Sequence, residues 1–258
     1  MKKLLIAFSP FILFISCDNG QEQKTEIISE APVIGEKPEI DSNNCGLNFI
    51  PSKNYKEKKN QIKTLRNKFA TQYKSSSDSN KTNLMKVAQS TFTSALLNEI
   101  IPHWYGTEWD FNGYTAKPNE GKIACGYFVS TTLRDMGLNL NRYDLAKKGP
   151  KDEAKSIAIS PENLISFSED ESEHLLDSIN NGLYFIGLDN HVGYLYKHNS
   201  ITYFIHSNYL ENKVMIELTK TSEAFMSLTY YLANISENDL LIEKWLTKES
   251  IKIVTDKN

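Results

Sequence analysis

Three residues in this chain have the types and the order that acyl-transfer chemistry needs: Cys125, His191 and His206. Cys125 stands in Ile123-Ala124-Cys125-Gly126-Tyr127-Phe128-Val129, just ahead of a stretch with helical periodicity. A thiol at a helix N-terminus feels the positive end of the helix dipole, which favours the reactive thiolate. His191 opens His191-Val192-Gly193-Tyr194-Leu195, and His206 follows Tyr203-Phe204-Ile205, on two consecutive strand-like segments. A histidine facing the thiol can take its proton, and a third polar group can orient that histidine. His206 is the expected orienter, and Asn208 takes that place if the strand register differs. The other histidines read as bystanders: His103 and His174 on the surface, His198 in a turn. The chain has no His-Glu-x-x-His and no paired-cysteine spacing, so neither a metal nor a cofactor is expected.

The elements that must position these residues follow from periodicity and punctuation. Residues 55–75 are charged, with Ile62, Leu65 and Phe69 at helical spacing, and the serine-rich 75–80 reads as a loop. A stronger helical pattern covers 82–101, and Pro102 ends it. Residues 104–113 form an aromatic, glycine-punctuated loop suited to lining a cleft. The segment from Cys125 to Met136 places Phe128, Val129, Thr132, Leu133 and Met136 on one face, so a buried helix is expected, with Gly137 near its C-cap. Two or three shorter helices are expected over 140–180, with Leu175, Leu176 and Ile179 on one face. Residues 183–188, 192–198, 201–206 and 214–218 are short, β-branched and aromatic, with turn residues between them, which predicts an antiparallel meander. Helix is expected again over 222–247, with Phe225, Met226, Leu228, Tyr231 and Leu232 as its core stripe. The order gives an α+β class.

The ends and the charge bound the function. The net charge is −3, and the 29 basic residues are scattered, so nucleic acid is not an expected partner. The run at 56–59 reads as a solvated helix face. Lys2 and Lys3 precede an apolar run, 4–15, that is too short to span a bilayer and reads as a secretory signal. The Phe14-Ile15-Ser16-Cys17 that closes it resembles a bacterial lipobox, with Phe14 where leucine is usual; the resemblance implies lipidation of Cys17 and a membrane anchor in the cell envelope. The polar stretch after it reads as a tether. The expected organisation is a signal peptide at 1–16, a tether at 17–45 and one domain at 46–258. An oxidising compartment also raises a structural alternative, a disulfide between Cys45 and Cys125.

Tyr105-Gly106, Cys125-Gly126-Tyr127-Phe128-Val129, His191-Val192-Gly193-Tyr194-Leu195 and Phe204-Ile205-His206 together resemble the NlpC-type family of cell-wall cysteine peptidases. The resemblance spans 104–208 and implies a papain-like fold: N-terminal helices, with the catalytic cysteine at a helix start, packed on the meander. It implies Cys125 as nucleophile, His191 as base, His206 as orienter, and the Tyr105 hydroxyl as an aid to the oxyanion. The implied activity is cleavage of an amide in peptidoglycan stem peptides through a thioester. The family usually has aspartate before the cysteine and serine after it, where this chain has Ala124 and Gly126. The stretch between Gly137 and Gly182 is longer than the family leads one to expect, so a lid or insertion is anticipated at the cleft. Two other functions remain open: a non-catalytic envelope lipoprotein binding peptide, glycan or a protein partner, and a thiol amidase or acyltransferase on another amide or lipid.

Overall fold

The structure is a computed structural model that describes residues 40–51 and 54–255. The expected signal, Cys17 and most of the tether lie outside the described residues. The described chain is mixed α+β, with eight strands in one sheet.

A short turn of helix, α1 (Ser42–Cys45), leads to α2 (Tyr55–Ser75) and α3 (Asp78–Ala95). The Asn54 side chain caps α2 by accepting from the Glu57 N–H at 2.8 Å. The helical path runs on through a π segment, Leu96–Ile100, and a 3₁₀ turn, Ile101–His103, so Pro102 sits inside a turn rather than at a clean stop. Two short strands follow, β1 (Glu108–Trp109) and β2 (Lys122–Ile123), then α4 (Cys125–Asp135), α5 (Arg142–Ala146) and α6 (Pro150–Ala158). Gly137 closes α4 with φ 96°, the left-handed C-terminal position that glycine occupies without steric cost.

The remaining elements are β3 (Leu164–Ser168), α7 (Glu169–Ser178), β4 (Gly182–Gly187), β5 (Val192–His198), β6 (Ile201–Asn208), β7 (Lys213–Leu218), β8 (Thr229–Asn234) and α8 (Asp239–Thr247). The sheet order is β2-β1-β7-β6-β5-β4-β8-β3, antiparallel throughout except for β1 with β2. The run β4-β5-β6-β7 is the expected meander.

The helix expected over 222–247 is a correction. Residues 223–225 form a 3₁₀ turn, 229–234 form β8, and only Asp239–Thr247 is helical. Tyr230 and Leu232 are buried, whereas Met226 and Leu228 stand 74% and 71% exposed. Thr-Tyr-Tyr-Leu suits a pleated surface, and β8 pairs with β4 on one side and with the unexpected strand β3 on the other. Pairing satisfies backbone groups that β4 would otherwise present as an open edge.

One face of the sheet carries the main core, where Tyr194, Ile205 and Val214 meet Phe92, Phe128, Leu133 and Trp245 from the helices. Trp245 on α8 donates from Nε1 to the Met136 carbonyl at 2.7 Å, which ties α8 to the end of α4. A smaller cluster on the opposite face holds Phe204, Leu195, Ile186 and Leu232 beneath Leu176 of α7 and Phe225. Each large side chain buried in this way stabilises the fold by about 1.5–3 kcal/mol.

Two surface expectations are also corrected. Lys58 is buried and ion-paired with Glu99, so the run at 56–59 is not wholly a solvated face. His103 is 9% exposed, against the Tyr55 ring at 5.2 Å between centroids, because the 3₁₀ turn rotates it inward. His174 is exposed. His198 ends β5, stacked on Tyr196. Cys45, assigned to the tether, is fully buried in the core, so the packed domain begins before residue 46.

Candidate active site

The path into α4 is set by short-range contacts. Ile123 on β2 pairs with Trp109 and bridges to Tyr114. The Ser207 hydroxyl on β6 donates to the Ile123 carbonyl at 2.7 Å, and the Ala124 N–H donates to Gly113 O at 2.9 Å. A Cβ on Gly113 would stand 2.6 Å from the Ile123 nitrogen, so only glycine permits this approach. The chain is thereby delivered to the sheet with Cys125 as the first residue of α4. Its N-cap is Ala124, which makes no side-chain cap bond among the described residues. The orphan N–H groups of the first turn are therefore left for another acceptor.

Cys125 and His191 line one cleft of about 890 Å³. Trp109, Phe111, Tyr114 and Tyr127 form one wall; Ala146, Lys147, Lys148, Pro150 and Glu153 form another; Leu188–Val192, Tyr209 and Met226 complete it. Of the long segment after Gly137, the end of α5, the start of α6 and their connection line the cleft. Arg142 holds the Tyr114 loop over it, donating to the carbonyls of Tyr114 (2.6 Å) and Thr115 (3.2 Å) and to Thr131 Oγ1 (2.6 Å).

His191 is fixed from both directions. The Leu188 N–H donates to the His191 carbonyl at 2.8 Å, closing the turn ahead of β5. The Asp189 carboxylate accepts from the N–H groups of Leu228 (2.8 Å) and Thr229 (3.2 Å), pinning that turn to the start of β8. The imidazole Nε2 lies 2.7 Å from His206 Nδ1, and His206 Nε2 lies 2.8 Å from Glu217 Oε1. Glu217 Oε1 also accepts from Asn208 Nδ2 (3.1 Å) and Ser222 Oγ (2.7 Å). Donors converge on that oxygen, so His206 Nε2 carries a proton and its Nδ1 is an acceptor. His191 Nε2–H then donates to His206, which leaves Nδ1 as the basic nitrogen.

The expected hydrogen bond between His191 and His206 is present, and Glu217 extends the chain of contacts by one residue. Asn208, the alternative orienter, supports Glu217 instead. The register explains both: Phe204 faces Glu217 across β6 and β7, and His206 faces Met215. Cross-strand neighbours share a face. Phe204 stacks on His206 at 3.9 Å between ring centroids. Room for this stack comes from Gly193, where a Cβ would lie 2.6 Å from the Phe204 ring and 2.9 Å from His206 Cβ.

Burial dominates the electrostatics. The Cys125 thiol is pushed up to about 11 by desolvation and then by Glu153; backbone N–H groups at Val192, Gly126 and Cys125 itself act the other way. His191 is held well below the ordinary histidine value by burial and by the neighbouring His206. Both shifts favour neutral thiol and neutral imidazole, so desolvation opposes the thiolate that the helix dipole favours.

Tyr105 is not brought to the cleft. It lies edge-on to Phe49 at 5.9 Å, and burial followed by the nearby Cys45 raises its hydroxyl far above the usual value. The disulfide alternative is excluded as well, because Cys125 is a free thiol. The Cys45 carbonyl accepts from Tyr196 Oη at 3.2 Å, whereas the Cys125 thiol meets the Val192 backbone N–H.

Two groups at the site carried no label in the sequence. Glu217 is a lone acid within Val-Met-Ile-Glu-Leu, and Glu153 falls in Pro-Lys-Asp-Glu-Ala-Lys. The signal for Glu153 is its spacing to Ile157, four residues on, which shares its buried helix face. Among the described residues, no group of three or more His, Cys, Asp and Glu side chains is arranged to hold a metal ion. No family model, curated protein or solved structure matches this chain.

Proposed function

We propose that this protein is a cysteine hydrolase, on a papain-like arrangement of helices and sheet, that cuts an amide bond in peptidoglycan stem peptides. The single observation that carries the reading is the His191–His206–Glu217 relay, which leaves a basic nitrogen on His191 in a cleft that Cys125 also lines. Charge at the mouth supports an acidic peptide: Lys147 is exposed on the rim, where it can meet a stem-peptide carboxylate. The Ser16-Cys17 signal supports a lipid-anchored protein of the cell envelope.

In the proposed reaction, Cys125 Sγ attacks the amide carbonyl as its proton passes to His191 Nδ1. The Sγ–C bond forms and the carbonyl electron pair moves to oxygen. His206 and Glu217 hold the imidazole in place and stabilise the positive charge it gains. His191 returns the proton to the leaving amine, and water activated by His191 releases the acid from the thioester.

The test is digestion of purified peptidoglycan under reducing conditions by protein lacking residues 1–17, with released fragments identified by mass spectrometry. Release by the parent but not by Cys125→Ala or His191→Ala is expected, and the fragment masses name the bond. Digestion that survives in Cys125→Ala would sink the reading. A second reading, acyl transfer on a lipid or other apolar amide, is favoured by the exposed rim of Phe111 (79%), Tyr114 (61%) and Met226 (74%). Cys125-dependent turnover of acyl-chain amides, with intact peptidoglycan, would select it.

A further inference from the structure

Glu153 is the one acidic group buried against the nucleophile in a way the relay does not use. It is 2% exposed, it lines the same cleft as Cys125, and among the described residues its Oε2 has no hydrogen-bond partner. It sits close to the first turn of α4: a Cβ built on Gly126 would stand 3.0 Å from Glu153 Oε1 and 2.8 Å from the Ala146 carbonyl. That contact gives a reason for Gly126 where the resembling family has serine. A buried carboxyl oxygen without a partner opposes folding, so the place of Oε2 in the cleft that holds the nucleophile points to a bound partner that completes it.

We propose that Glu153 is a catalytic residue: its Oε2 donates a hydrogen bond to the carbonyl oxygen of the acyl group that Cys125 attacks. It acts there with the uncapped N–H groups at the start of α4, and it fills the role that Tyr105 does not reach. The proposal rests on Cys125 being an acyl-transfer nucleophile. Burial holds the Glu153 carboxyl well above the ordinary carboxylate range, so it keeps the proton a donor needs. As the tetrahedral intermediate forms, negative charge gathers on the former carbonyl oxygen, and a donor held in the cleft by burial stabilises that charge with little reorganisation. The proton stays on Glu153 throughout; the proton in transit is the one from the thiol, carried by His191.

The experiment compares two reactions of Cys125 in the full chain. Acylation by p-nitrophenyl acetate builds an oxyanion, whereas alkylation by iodoacetamide builds none. Both are followed at Cys125 by site-resolved mass spectrometry, with p-nitrophenolate release as the kinetic signal. Glu153→Ala is expected to lose about 10²-fold or more in acylation, the effect of removing one oxyanion donor, while its alkylation rate does not fall, because losing Glu153 removes one of the causes that raise the Cys125 thiol. Glu153→Gln, which keeps an N–H donor, is expected to retain most of the acylation. Equal acylation in Glu153→Ala and parent overturns the proposal, as does a parallel fall in both reactions, which marks a structural role. Neither probe contains a stem peptide. A protein that shows the expected split yet leaves peptidoglycan intact keeps this proposal and loses only the substrate assignment.

Discussion

The half-buried, desolvated Cys125 thiol makes the sharpest prediction, because its value converts directly to a rate. With Cys125 pushed up to about 11, its thiolate fraction at pH 7 is about 10⁻⁴, against about 3% for an ordinary cysteine near 8.5. That is a deficit of about 300-fold. A more basic thiolate is more nucleophilic, and a Brønsted slope of about 0.45 over 2.5 units returns about 13-fold. Net alkylation by iodoacetamide at pH 7 should therefore run about 20-fold slower than for a free cysteine. The rate should climb tenfold per pH unit and bend only near pH 11, with peptide mass spectrometry separating Cys125 from Cys45. A plateau beginning below pH 7 would refute the reasoning. It would mean that the pair rests as thiolate and imidazolium, and that the helix dipole outweighs burial.

Other consequences follow from the same contacts. His206→Ala removes the partner of His191 Nε2 and should lower kcat by about 10²–10⁴-fold with little change in KM; Glu217→Gln should fall in the same direction by less, both read by steady-state kinetics. Gly193→Ala drives a methyl into the Phe204–His206 stack and should cost about 1–3 kcal/mol, a drop in Tm of several degrees by calorimetry. Glu153→Gln should raise stability at neutral pH by about 1–3 kcal/mol, because the buried carboxyl resists ionisation. The sign follows from its raised value: the parent's disadvantage is absent below the ordinary carboxylate range and grows as pH rises from there toward the folded-state value. Unfolding curves at pH 4 and pH 7 should therefore converge at the lower pH.

Cys125 and the hydrogen-bonded histidine pair could be found in the sequence because each lies on or beside an element with a strong local pattern. The apolar face from Phe128 to Met136 has only one period that fits, so α4 and its starting cysteine follow. His191 immediately precedes β5 and His206 lies on β6, and the turns before and between these strands are marked by Asp189-Asn190 and Asn199-Ser200. The misread segment has no such clarity. Phe225, Leu228, Tyr231 and Leu232 fit a helix by spacing, and Thr229–Leu232 fit a strand by residue type. The decision belongs to β3 and β4, which supply pairing partners that no local window contains. Glu217 and Glu153 were hidden for a related reason: a lone acid in a short apolar strand or a charged helix looks solvated until the partner face is known. Tyr105 shows the converse, a residue placed by resemblance that packs on Phe49 in this chain.

A covalent acyl group at Cys125 is the intermediate on which the proposed reaction depends. The measurement is intact-mass and peptide spectrometry of the protein, quenched in acid during turnover of stem peptides at neutral pH. The expected result is a mass increment on Cys125 equal to the acyl fragment, lost on treatment with hydroxylamine and absent from His191→Ala. Turnover without any increment on Cys125, and unchanged in Cys125→Ala, would contradict it.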